Sequence, residues 1–294
     1  NVDPERIIIM PGGKPTMHYA ISFFGEPGAE IIYPDPGFPI YESMINFTGA
    51  KAIPYDMTKN KDFSINPDEI LSLINEKTRL LIINNPHNPT GGFTEKSVID
   101  KLANSLKNFP NVAILSDEVY DRLIYSSREI PTFLNYPDLY DRLIVLNGWS
   151  KTYAMTGWRL GWGVWPKDLV EHVFKFCVNT HSCVNTPAQF GAIAALDGPE
   201  LHLKNMMEEF SIRRKLVVDG LRSLKDVECN LPGGTFFAFP NIKNTGMNGE
   251  EFTNKCLEKG GVAVIPGTAF GKFATHNVRI NFATSRQNIS KAIE

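Results

Sequence analysis

Arg142–Gly161 reads RLIVLNGWSKTYAMTGWRLG, and this stretch decides the fold. It opens as a short, continuously apolar, β-branched run that stops at Asn147 and Gly148. A run apolar at every position, not every second one, reads as a strand buried on both faces, as in a parallel sheet. Ser150 and Lys151 follow at once, at the C-terminal end of that strand, where open α/β sheets place their ligands. A lysine there can be desolvated until its neutral amine attacks an aldehyde. Arg159 comes back to the same place through a turn, and its planar guanidinium suits a phosphate gripped at two points. Taken singly, the lysine reads as a surface residue and the arginine as a salt-bridge partner.

The same punctuation recurs on both sides. RIIIMPGG (6–13), EIIYPDPG (30–37), KAIPYD (51–56), RLLIINNP (79–86) and VAILSDEVY (112–120) are apolar runs that end in turn residues. Between them PTMHYAISFFG (15–25), SVIDKLANSLKN (97–108) and LVEHVFKFCVN (169–179) have helical spacing. Strands alternating with helices predict an α/β fold with a mixed, mainly parallel sheet sandwiched by helices. After about Gly198 the character changes. ELHLKNMMEEFSIRRKLVVDGLRSL (200–224) reads as one long helix, followed by PGGTFFAFP, VAVIPG and NVRINFAT. The division falls near residue 200, giving a large domain over 1–200 and a smaller C-terminal α/β domain over 201–294.

Composition narrows the function. The 294 residues carry 30 basic and 32 acidic side chains, net charge -2, so no basic stripe collects phosphates and a nucleic-acid partner is not expected. The six histidines are scattered without a ligand spacing, so no metal site is expected. No run approaches the roughly 18 apolar residues of a membrane span. Four cysteines with no CxxC read as reduced thiols of a cytoplasmic protein.

Several other residues stand at strand ends, each with an ordinary reading. Asp117, in Leu115-Ser116-Asp117-Glu118-Val119-Tyr120, reads as a helix cap with a phenol, Tyr120, three residues on. Asn88 lies in the turn Asn88-Pro89-Thr90-Gly91. Pro11-Gly12-Gly13-Lys14 joins a strand to a helix, so free backbone N–H groups there suit a phosphate. It is not a Walker loop, because Ile8 stands where that pattern needs its first glycine. Phe38, one of 19 phenylalanines, reads by default as a core residue. Arg279 lies inside the apolar strand Asn277–Phe282, where it is costly unless paired with an acid or with a ligand anion.

Read together, these motifs carry a resemblance. SKTYAMTGWRLG (150–161) looks like the Schiff-base signature of class I aminotransferases, members of the fold type I pyridoxal-phosphate-dependent family and aspartate aminotransferase-like, and the other motifs follow in the family's order. The resemblance covers essentially the whole chain and implies pyridoxal 5'-phosphate as cofactor, with Lys151 as the Schiff-base lysine and general base. It implies that Asp117 meets the pyridine nitrogen, which makes the ring an electron sink. Tyr120 and Asn88 would meet the ring's 3-oxygen, and Phe38 would stack on the ring. Gly12, Gly13, Lys14, Ser150 and Arg159 would hold the phosphate. Asn88 and Arg279 would bind the substrate carboxylate.

The implied reaction of amino-acid metabolism is a ping-pong transamination between an L-amino acid and a 2-oxo acid, in a homodimer. Two other readings stay open: a carbon–sulfur β-lyase using the same residues, and a catalytically silent cofactor-binding module. The donor also stays open, since only Lys14 and His18 near the glycine turn offer a cation for a second carboxylate. Relatives carry an arm and part of the small domain ahead of the glycine turn and a final helix after the Arg279 strand. The chain reads as N-terminally truncated and as stopping short of that helix.

Overall fold

The computed structural model describes residues 2–125 and 130–294. Strand β1 (Ile7–Met10) leads through a glycine turn into α1 (Lys14–Phe24). There follow β2 (Glu30–Asp35), α2 (Ile40–Phe47), β3 (Lys51–Asp56), α3 (Pro67–Leu73), β4 (Thr78–Asn84), α4 (Lys96–Leu106), β5 (Ala113–Asp117) and β6 (Leu143–Gly148). The short helix α5 (Trp149–Thr152) then leads to β7 (Gly161–Val164), α6 (Lys167–Thr180) and α7 (Thr186–Asp197). The remainder is α8 (Leu201–Ser223), β8 (Phe237–Ala238), α9 (Gly249–Gly260), β9 (Ile265–Pro266), β10 (Val278–Asn281) and α10 (Arg286–Ile293).

Seven strands form one sheet in the order β1-β7-β6-β5-β4-β2-β3. The pairs β2·β3, β2·β4, β4·β5 and β5·β6 are parallel, while β7 runs antiparallel to both β6 and β1. The expected mixed, mainly parallel sheet is therefore present, and helices cover both faces. The continuous apolar runs explain why. Along β4, Leu80 and Ile82 pack on one face with Tyr19, Ile21, Tyr41 and Ile45, while Leu81 and Ile83 pack on the other with Ile70, Ile99 and Leu102. Each such side chain, removed from water, stabilises by roughly 1.5–3 kcal/mol. Helix α4 buries Ile99, Leu102, Ala103 and Leu106, the i, i+3, i+4, i+7 stripe of an amphipathic helix.

Strands β8, β10 and β9 form a second, antiparallel sheet. It packs with α8 and α10 around Phe210, Val217, Val218, Phe282 and Ile289, and this cluster also takes in Tyr120 and Leu123 from beyond β5. The second sheet is thereby anchored beside the C-terminal end of β5. Two elements depart from the sequence reading. Strand β7 was not expected, and α10 follows β10 where no helix was anticipated.

Candidate active site

Three neighbouring parallel strands end side by side, which gathers motifs far apart in sequence. Asn84 ends β4, Asp117 ends β5, and β6 runs into α5, whose third residue is Lys151. Trp149 Nε1 donates to the carbonyl of Ala192 in α7 at 3.1 Å, fixing α5 and with it the lysine.

The Lys151 amine lies 5.7 Å from the ring centre of Tyr120 and 5.5 Å from that of Phe236. Burial lowers its pKa, as do Arg279 and, more weakly, Arg159, while Asp117 pulls the other way. Asp117 is buried. Its Oδ2 accepts from the Tyr41 hydroxyl at 2.5 Å, and its Oδ1 accepts from the Val119 N–H at 3.2 Å. Burial pushes the Asp117 carboxyl up to about 6, against the pull of Tyr41, the Val119 N–H and Lys151. At neutral pH it is mostly ionised. Tyr120 is buried, and its phenol is raised by burial and by Asp117.

Arg279, on β10, reaches across from the second sheet. Its Nη1 donates to Asn88 Oδ1 at 2.9 Å, and its guanidinium is sandwiched by Phe237 (4.4 Å) and Phe270 (4.5 Å). Among the described residues no carboxylate bridges it, and its Nε has no partner. Aromatic faces hold the fork in place while leaving donors unspent. Asn88 is fixed in turn, its N–H donating to Asn84 Oδ1 at 2.9 Å.

Arg159 (φ +54°) and the turn Gly12-Gly13 come together. Gly12 has φ +88°, and a Cβ on it would lie 2.4 Å from Arg159 Nη2. A Cβ on Gly161 would lie 2.5 Å from the Gly12 carbonyl carbon. Only glycines permit this approach. The Gly12 N–H is spent on the Met10 carbonyl at 2.8 Å, but Gly13 precedes α1, and the first N–H groups of a helix have no acceptor within it, so the start of α1 offers donors to an anion. The Lys14 side chain is exposed, its amine 5.8 Å from the Phe38 ring centre, and Ser150 is half-buried at the start of α5. Phe38 stands edge-on to Tyr41, with ring centres 6.1 Å apart.

The structure thus brings Lys151, Asp117, Tyr120, Asn88 and Arg279 together at the strand ends, sets Gly12 against Arg159, and joins Phe38 to Asp117 through Tyr41. His18, weighed for a donor's second carboxylate, has its Nδ1 against Met44 Sδ at 3.2 Å instead. Sequence reasoning missed Tyr41 and the aromatic frame of Phe236, Phe237 and Phe270. Two adjacent phenylalanines after a Gly-Gly turn were the only available signal for that frame.

The chain matches the family described as aminotransferase class I and II over residues 1–294. An aspartate aminotransferase of Pyrococcus horikoshii is 35% identical over 295 residues, spanning 100% of this chain and 75% of the relative. A probable aspartate aminotransferase of Methanocaldococcus jannaschii is 35% identical, spanning 100% of this chain and 77% of its own length. Among solved structures, an aromatic aminotransferase from Pyrococcus horikoshii superposes with a TM-score of 0.95 at 33% identity, covering 100% of this chain and 79% of the other. The aspartate aminotransferase from Rhizobium meliloti superposes at 0.92 with 29% identity, covering 99% and 75%.

Proposed function

Since the chain belongs to the class I and II aminotransferase family, and is a pyridoxal-phosphate-dependent transaminase acting on amino acids and 2-oxo acids, we propose a role for each residue of the site. The observation that carries the assignment is the position of Lys151. It is a partly buried amine at the C-terminal edge of the sheet, 5.7 Å from the Tyr120 ring centre and within the electrostatic reach of Arg279, Asp117 and Arg159.

The donor set fits the cofactor. Gly12, Gly13, Lys14, Ser150 and Arg159 would hold its phosphate through backbone N–H groups, a hydroxyl and a guanidinium. Phe38 would lie against the ring, Asp117 would serve the ring nitrogen, and Tyr120 with Asn88 the 3-oxygen. When bound, the cofactor supplies an aldehyde to bind an amine and a protonated ring that draws electrons from the substrate's α-carbon.

The chain's own groups do the rest. Lys151 would hold the cofactor through its amine in the neutral form, which burial and Arg279 favour. Lys151 Nζ would then serve as the general base and acid that moves a proton from the substrate's α-carbon to the cofactor's C4′ carbon. Asp117, mostly anionic at neutral pH, would keep the ring nitrogen protonated. Arg279 and Asn88 orient the substrate by its carboxylate, the unspent Arg279 donors forming a fork.

We also divide the chain near residue 200. The division is supported by β1–β7 forming one sheet before it and β8–β10 another after it. A homodimer is supported by large apolar side chains left in water on α6 and α7, among them Phe174 (61% exposed) and Phe190 (70%). No helix of the described residues is long and apolar enough to cross a membrane. A cytoplasmic setting is proposed on the four free cysteines. The relatives named for aspartate and for aromatic substrates bracket the donor. A donor panel against 2-oxoglutarate, read by 2-oxo acid release and by the cofactor's spectrum, tests the assignment. Oxo-acid release that needs no acceptor would overturn transamination in favour of lysis.

A further inference from the structure

We propose that Tyr41 is a positioning residue for the reaction, its phenol holding Asp117 ionised and turned so that the carboxylate keeps lone pairs free for the cofactor's ring nitrogen. The inference rests on the reading of Asp117 given above and adds to it a partner to which the sequence reading assigns no role.

Tyr41 is the second residue of α2 and is wholly buried, packed in the apolar cluster on one face of the large sheet. Its hydroxyl reaches Asp117 Oδ2 at 2.5 Å. A buried hydroxyl without a partner would be costly, so this bond is retained wherever the helix packs as it does. An ionised carboxylate offers about four lone-pair sites. Tyr41 takes one on Oδ2 and the Val119 N–H takes one on Oδ1, which fixes the plane of the carboxylate and leaves the rest free.

The groups facing this pair are few. Lys151 approaches from β6–α5, Tyr120 from beyond β5, and Tyr55 from β3. The Tyr55 hydroxyl is spent on the Ile82 carbonyl at 3.2 Å. Glu118, next in sequence, turns away to Ser116 and to the Phe133 N–H. Against the cost of burial, Asp117 therefore has Tyr41, one backbone N–H and Lys151. Lys151 changes its charge and bonding through the reaction, so its support is intermittent. Tyr41 is neutral throughout, and its support is constant. It also lies three residues after Phe38, so one turn of chain sets both the stacking ring and the donor to the acid.

The test is titration of the Asp117 carboxyl by 13C NMR, in whole chain carrying aspartate labelled at the side-chain carbon, with and without bound cofactor. Tyr41→Phe is expected to move the midpoint upward by about one to two pH units, the worth of one hydrogen bond to a charged group. The acid limb of the kcat profile should move up with it. Placing 3-fluorotyrosine at position 41, a stronger donor of the same shape, should move both downward. That variant keeps the test decisive if Tyr41→Phe does not fold. A folded Tyr41→Phe chain with an unmoved midpoint, or the two variants shifting in the same direction, would overturn the inference. An Asp117→Ala chain whose bound cofactor keeps its ring nitrogen protonated, read by 15N NMR, would instead overturn the reading of Asp117 beneath it.

Discussion

Arg279→Lys separates a substrate clamp from a structural cation. The residue has no acid partner among the described residues; it has Asn88 at 2.9 Å, two aromatic faces at 4.4 and 4.5 Å, and an Nε with nothing to bond. Lysine keeps the charge and part of the aromatic contact but loses the planar fork. The structural loss is that of a weakened cation–π sandwich, about 0.5–1 kcal/mol, because no buried anion is orphaned by the change. The functional loss is one hydrogen bond to a carboxylate, about 1.5–3 kcal/mol, or roughly ten- to 150-fold in kcat/KM. Denaturant melts and donor half-reaction kinetics on one preparation read both quantities. The expected pattern is a small stability change, an unaltered cofactor spectrum and a drop in kcat/KM of at least about tenfold. Normal kcat/KM per folded molecule, together with a large fall in stability, would refute the clamp.

Other outcomes follow from the same geometry. Lys151→Ala should abolish the borohydride-fixable linkage to cofactor, and mass spectrometry finding the adduct on another lysine would reassign the site. Glu118 is buried, and burial pushes its carboxyl up to about 7, so the folded chain binds this proton more tightly than the unfolded chain does. Its contribution to stability is full below the unfolded pKa near 4.5 and drains away as pH climbs to about 7, by up to about 3 kcal/mol. Glu118→Gln should flatten that slope in urea melts between pH 4.5 and 7.5, and an unchanged slope would show that Glu118 is not its source. Gly12→Ala puts a side chain at φ +88° and against Arg159. A strain of roughly 1–2 kcal/mol should weaken cofactor binding about tenfold, with equal affinity by fluorescence titration counting against the cradle.

What the sequence disclosed and what it hid divide along a physical line. Strand ends were legible because a doubly buried strand must be apolar throughout and must stop at turn residues, so Asn84, Asp117 and Gly148 could be marked as ends from composition alone. Strand β7 escaped because two of its four residues, Gly161 and Gly163, are glycines and read as a turn. They are there for packing: a Cβ on Gly161 would strike the Gly12 backbone, and one on Gly163 would meet Trp165 Nε1 at 2.6 Å. The apolar signal was given up so that an antiparallel strand could bring the glycine turn of β1 against the loop carrying Arg159.

Tyr41 was hidden for a different reason. Its position in α2 fits an ordinary core tyrosine, and its partner lies 76 residues away on another element. Periodicity reports which face of an element is buried, and it carries no information about what a buried hydroxyl meets there. The order β6-β5-β4 supplies the missing link. Placing β5 between its two parallel neighbours sets Asp117 between the Lys151 turn and the Asn88 turn. Helix α2 then covers one face of the same sheet, bringing the Tyr41 phenol to the acid at the centre. Motifs give the chemical groups singly, whereas the reactive set exists only once strand order has made neighbours of them.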